Sequence, residues 1–182
     1  FMFLDRVETA RPESPFWVDW SIIDRDAKTF DDGQPHLRIH NLSPVEEATL
    51  VDGHPPKRFG NPERLRYLHR VRRGKDLHSQ FITVLEPYKE TPFISKTTVL
   101  QSEETAAGFS AVLKIELKSG QTDTIAITEN GGEIKIGNFT FNGRVGLSRT
   151  KDEVTIEQSM IAATLIAQNG ASLRAPFPGI SG

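Results

Sequence analysis

Residues 64–94 read RLRYLHRVRRGKDLHSQFITVLEPYKETPFI, and the alternation in this stretch decides the fold class. Leu65, Tyr67, His69 and Val71 form one mixed aromatic and apolar face. Arg64, Arg66, Arg70 and Arg72 form a basic row on the other, broken by Leu68. Period-two patterning of this kind marks a strand. A second alternating run, Leu77 to Glu86, follows a turn at Gly74. It has few polar residues on either face past Phe81, which predicts a central strand. Pro87 should stop it, because proline donates no ladder hydrogen bond.

The same stretch carries a resemblance. Arg72, Gly74, Leu77, Ser79, Phe81, Val84, Glu86-Pro87-Tyr88 and then Pro92-Phe93-Ile94 fit a spaced motif. It is similar to one in the C-terminal β-sandwich of heparinase II/III-like polysaccharide lyases. The resemblance is strongest from Phe16 to Ile94 and weak after Val99. It implies a β-sandwich domain docked on a catalytic α/α-toroid, an acidic (uronic-acid) polysaccharide as ligand, and a secreted or periplasmic parent. In that family the motif is not the catalytic machinery, which lies mainly in the toroid, and no segment here resembles a toroid. The chain alone is therefore expected to be inactive, with no catalytic residue assigned.

Around this stretch the alternation continues. Phe16 to Asp24 holds both tryptophans, with Phe16, Val18, Trp20 and Ile22 on one face. His36 to Leu42 alternates again, and Val45 to Val51 is a short strand. Asp52 to Pro62 is rich in proline and glycine and reads as a loop, a place where rigid scaffolds carry function. Phe93 to Leu100 is a strand and Gln101 to Gly108 a polar surface loop. Beyond it come short strands, with a hairpin signal at Asn130-Gly131-Gly132 and turns at Lys151-Asp152-Glu153 and Asn169-Gly170. Ile161 to Ala167 fits either a strand or a helical turn. Many short strands and no long 3.6-residue period argue for an all-β, antiparallel β-sandwich. Residues 1–100 would hold its main sheets. Residues 101–182 would complete the sandwich or form a small β-subdomain.

With 182 residues and no cysteine, disulfides and thiolate metal sites are excluded. The net charge of −2 points to neither nucleic acid nor a membrane surface. The start, Phe-Met-Phe, resembles no signal peptide, so the chain reads as a fragment, a processed product or one domain of a longer protein.

Cationic residues nevertheless crowd one region. On a strand, Arg64, Arg66, Arg70 and Arg72 point the same way, about 6–7 Å apart per two residues. Guanidinium groups bind carboxylates and sulfates through paired hydrogen bonds. This row, with Lys57, Arg58 and His54 in the adjacent loop, is the candidate substrate-binding set. Its competing readings are a solvated edge that discourages aggregation and a contact with an adjoining domain. No metal or other cofactor is assigned. His36 and His40 on a strand lie about 13 Å apart, too far to share one ion at about 2 Å. Two further functional readings stand beside the lyase domain: a stand-alone carbohydrate-binding module using Trp17 or Trp20, and a purely structural interdomain scaffold.

Overall fold

The computed structural model describes residues 6–9, 17–21, 36–43, 47–53, 65–73, 81–105 and 108–181. They form an all-β, antiparallel, sandwich-like structure with no helix among the described residues. The chain divides into two compact units, Phe1–Phe93 and Ile94–Gly182.

In the first unit, β1 (Arg6–Thr9), β2 (Trp17–Ser21), β3 (His36–Asn41) and β6 (Thr83–Tyr88) form a sheet in the order β1-β2-β3-β6. Between β3 and β6 in sequence, β4 (Glu47–Gly53) and β5 (Leu65–Val71) pair with each other. The first alternating run is therefore strand over Leu65–Val71 and the second is strand from Thr83, with residues 77–80 outside the described residues; β5 and β6 do not pair with each other. β5 takes β4 as its partner and β6 takes β3. Nor is β6 central: it ends the order of its sheet among the described residues, and Leu85 is 58 % exposed. This edge position explains why β6 runs through Pro87 to Tyr88, with Pro87 opposite Leu37. A proline fits a strand whose free side needs no N–H donor. The turn expected at Gly74 and the loop at residues 54–62 lie outside the described residues.

The second unit is one seven-stranded sheet. Its strands are β7 (Ile94–Thr105), β8 (Gly108–Leu117), β9 (Gln121–Thr128), β10 (Glu133–Ile136), β11 (Phe139–Lys151), β12 (Val154–Gln168) and β13 (Ala171–Ser181). The order is β13-β12-β11-β9-β8-β7, with β10 on the first part of β11. The polar stretch from Gln101 is not a loop; residues 101–105 continue β7, the outermost strand, where polar residues face water without cost. The segment Ile161–Ala167 is strand within β12. The turn at Asn130-Gly131-Gly132 does not close a hairpin, because β10 pairs forward with β11 rather than back with β9. The other two turns do close hairpins. Asp152 and Glu153 have φ of 49° and 64°, and Asn169 and Gly170 have 49° and 83°. Both are two-residue connections with positive φ at each position, the geometry whose twist matches paired strands.

β11 changes partner midway. Residues 139–142 pair with β10, and residues 145–151 pair with β9. A register shift falls between Asn142 and Gly143. Gly143 lies so close to β12 that a Cβ there would stand 2.0 Å from the Cβ of Ala163. Past this point Phe141 folds back over its own strand: a Cβ on Gly146 would meet its ring at 2.5 Å. Val112, Ala126, Ile134, Phe139, Phe141, Met160, Ala163 and Ile166 close around that ring as the buried core of the unit. Replacing Gly146 with valine puts a branched side chain where the Phe141 ring lies. G146V is expected to lower the unfolding free energy by about 1–3 kcal/mol, read as a lower urea midpoint at unchanged denaturant slope.

Candidate functional site

The motif residues of β6 divide between the two faces of the strand. Phe81, Thr83, Leu85 and Pro87 are exposed, whereas Glu86 is fully buried. Glu86 stands opposite Arg38, and its Oε2 lies 2.7 Å from Nε2 of His40, two residues further along β3. His40 is itself buried. The imidazole and the carboxyl group share a hydrogen bond, which is how a buried acid is made tolerable. On the same face the Arg38 guanidinium lies over the ring of Tyr88, 5.8 Å from its centroid. Glu86 and Tyr88 thus fasten β6 to β3. Both side chains are occupied in holding the sheet.

Among the predicted cationic residues, Arg70 is described in most detail. Its Nη1 donates to Thr83 Oγ1 and its Nη2 to the Ser43 carbonyl, each at 3.1 Å. Its guanidinium lies 5.1 Å from the centroid of the Phe81 ring. Burial pulls its pKa below the ordinary guanidinium value, a shift that leaves arginine charged at neutral pH. Ser43 is the joint of this arrangement. Its hydroxyl accepts from the Ile82 N–H while its carbonyl accepts from Arg70. Arg70 therefore ties the β4–β5 pair to the start of β6, with its orientation fixed by three groups.

Arg72 follows the end of β5 and is partly buried and engaged. Arg73 is exposed and bridges to Glu47 at 2.8 Å. Arg66 is placed on β5 opposite Asp52. Arg64, Lys57, Arg58 and His54 lie outside the described residues. Arg66 and Arg70 thus share strand β5, and Arg70 is diverted into a clip. Sequence periodicity places Arg70 on its face but cannot show Phe81, Thr83 and Ser43 meeting it, because those contacts join segments 11 to 27 positions away in the chain.

The second unit carries an ionic ladder that the sequence reading missed. Asp123, Arg149 and Glu157 stand opposite one another on β9, β11 and β12. Arg149 binds Asp123 through two parallel hydrogen bonds of 2.7 and 2.9 Å, and Glu157 through one of 2.9 Å. The hydrogen bonding that Arg149 donates to Asp123 is the main reason its pKa is raised. All three side chains are committed to each other, so the ladder braces the sheet. Among the described residues, no three His, Asp or Glu side chains gather in a way that would hold a metal.

No protein-family model matches the chain, and neither a curated protein nor a solved structure matches it. The likeness of the β5–β6 region to heparinase II/III-like lyases therefore rests on the motif residues.

Two substitutions separate the roles described above. E86A leaves the His40 ring without its buried acceptor and is expected to cost about 1–3 kcal/mol. F81A removes only the platform beneath Arg70 and is expected to cost about 0.5–1 kcal/mol. Trp17 and Trp20 lie on β2 of the same sheet, so tryptophan fluorescence during chemical unfolding measures both.

Proposed function

We propose that this chain is the C-terminal β-sandwich domain of a heparinase II/III-like polysaccharide lyase. In this reading it supports a catalytic α/α-toroid and contributes cationic groups to the binding of acidic polysaccharide. The observation that carries the proposal is the use made of the motif. Glu86 is buried on His40 and Tyr88 lies beneath Arg38, so the Glu-Pro-Tyr signature marks a strand junction, as expected of a supporting domain. The all-β architecture supports the same reading. So does the positive charge of Arg70, which Ser43, Thr83 and Phe81 hold in place.

A second reading, an interdomain scaffold without its own ligand, is favoured by a different observation. Phe81, Leu85 and Phe93 are 49 %, 58 % and 46 % exposed in and around β6. Large apolar groups grouped this way suit a surface that another domain covers. The two readings share the docking role and differ over the glycan.

Titration of the chain with acidic and neutral polysaccharides at low and moderate salt tests the glycan role. The expected result is binding to uronic-acid polymers that weakens steeply as salt screens the charges. R66Q and R72Q should weaken it severalfold. R70Q should weaken binding and also lower stability, since it opens the clip at Ser43. Absence of binding to every glycan removes the ligand role and leaves the scaffold reading.

A further inference from the structure

A cleft of about 230 Å³ opens on the second unit. Its floor is the sheet end where Glu103 on β7, Ser110 on β8 and Thr128 on β9 stand opposite one another. Its wall is the turn from Asn130 into Glu133 at the start of β10. Both sides are fastened from within. Gln101 Nε2 donates to Glu103 Oε1 at 3.0 Å. The Glu129 N–H donates to the Phe109 carbonyl at 2.9 Å, and the Gly143 N–H to the Gly132 carbonyl at 3.1 Å. The buried Thr128 hydroxyl donates to the Gly143 carbonyl at 2.6 Å. A cleft whose walls are already held loses little order when it is filled.

The lining chemistry selects the ligand. Glu103 and Glu133 bring carboxylates, Gln101 and Asn130 bring amides, and Ser110 brings a hydroxyl; among the described residues no lysine or arginine lines the cleft. Carboxylates accept hydrogen bonds, while amides and hydroxyls accept and donate. A ligand rich in O–H groups meets both needs. An anion is repelled by the two carboxylates, and an apolar ligand strips water from these polar groups without replacing it. An oxygen lining also suits a hard cation. Against that, one Glu133 oxygen is held by Lys135 at 2.6 Å, and no third acid or histidine joins the pair among the described residues. The volume lies below the roughly 300 Å³ at which drug-sized pockets begin, so the occupant is small or is one unit of a longer chain.

We propose that this cleft binds one uncharged, hydroxyl-rich sugar residue. The proposal stands apart from the basic strand of the first unit: it concerns other residues and the opposite charge preference. The test is an amide-shift titration of the 15N-labelled chain with glucose, galactose and N-acetylglucosamine, with glucuronate and calcium chloride as separate probes. Neutral sugars are expected to shift amides in residues 101–103, 108–110 and 128–134, with glucuronate at least about tenfold weaker by charge repulsion. E103Q is expected to weaken neutral-sugar binding about fivefold through the lost ionic acceptor, and S110A gives a second, smaller change should E103Q disturb the sheet. Unshifted amides with every neutral sugar overturn the proposal. So does glucuronate binding as tightly as the neutral sugars, or a response to calcium alone. None of these results bears on polyanion binding through Arg66 and Arg72, whose failure would be seen separately.

Discussion

The second unit depends on the contact between Phe141 and Gly146. A sheet buries one face only if something lies against that face. Here the strand that crosses the middle of the sheet supplies its own cover. β11 passes from β10 to β9 as its partner at Gly143, and the Phe141 ring comes down on Gly146 five residues further on. A side chain at either glycine would block this, at Gly143 by meeting Ala163 and at Gly146 by meeting the ring. The core then assembles around the ring from β8, β9, β10 and β12. Even the short β10 follows from it, since β10 has a partner only because the first part of β11 has left β9. The cleft between the sheet end and the Asn130–Glu133 wall is a consequence of the same departure.

Strands and turns were legible in the sequence because their signals are local. Alternation at Leu65 to Val71 gives β5. Asp152-Glu153 and Asn169-Gly170 give hairpins, with the backbone geometry the turns require. Pairing was less legible, because partner choice depends on residues far apart in the chain. The Gly74 signal suggested that β5 and β6 form a hairpin, yet each pairs with an earlier strand. The run of apolar residues in β6 suggested a central strand, yet apolar residues at an edge have the same period. Edge polarity misled in the other direction at Gln101 to Thr105, where a strand with polar residues facing water resembles a loop.

The candidate site shows the same division. Periodicity puts Arg66 and Arg70 on one strand, and both lie on β5. It does not show that Arg70 spends its hydrogen bonds on Ser43 and Thr83, or that Phe81 lies against it. The Asp123–Arg149–Glu157 ladder was hidden for a related reason. No two of its members are close enough in sequence to suggest a pair, and only the antiparallel register of three strands brings them level.

The burial of Glu86 also bears on where chemistry can occur. Removing a proton from a sugar and returning one to a leaving oxygen needs an acid and a base within hydrogen-bond reach of the substrate. Glu86 is closed off from water and bound to His40, and Tyr88 lies beneath Arg38. Freeing any of them for catalysis would loosen the joint between β3 and β6. A sheet that depends on these groups cannot also lend them to a substrate on each turnover. In the proposed lyase, then, the domain's part is charge and support, and the proton transfers fall to the toroid. That division of labour suits a signature whose acidic residue faces inward, because selection for a stable junction and selection for a reactive carboxylate act in opposite directions on the same side chain.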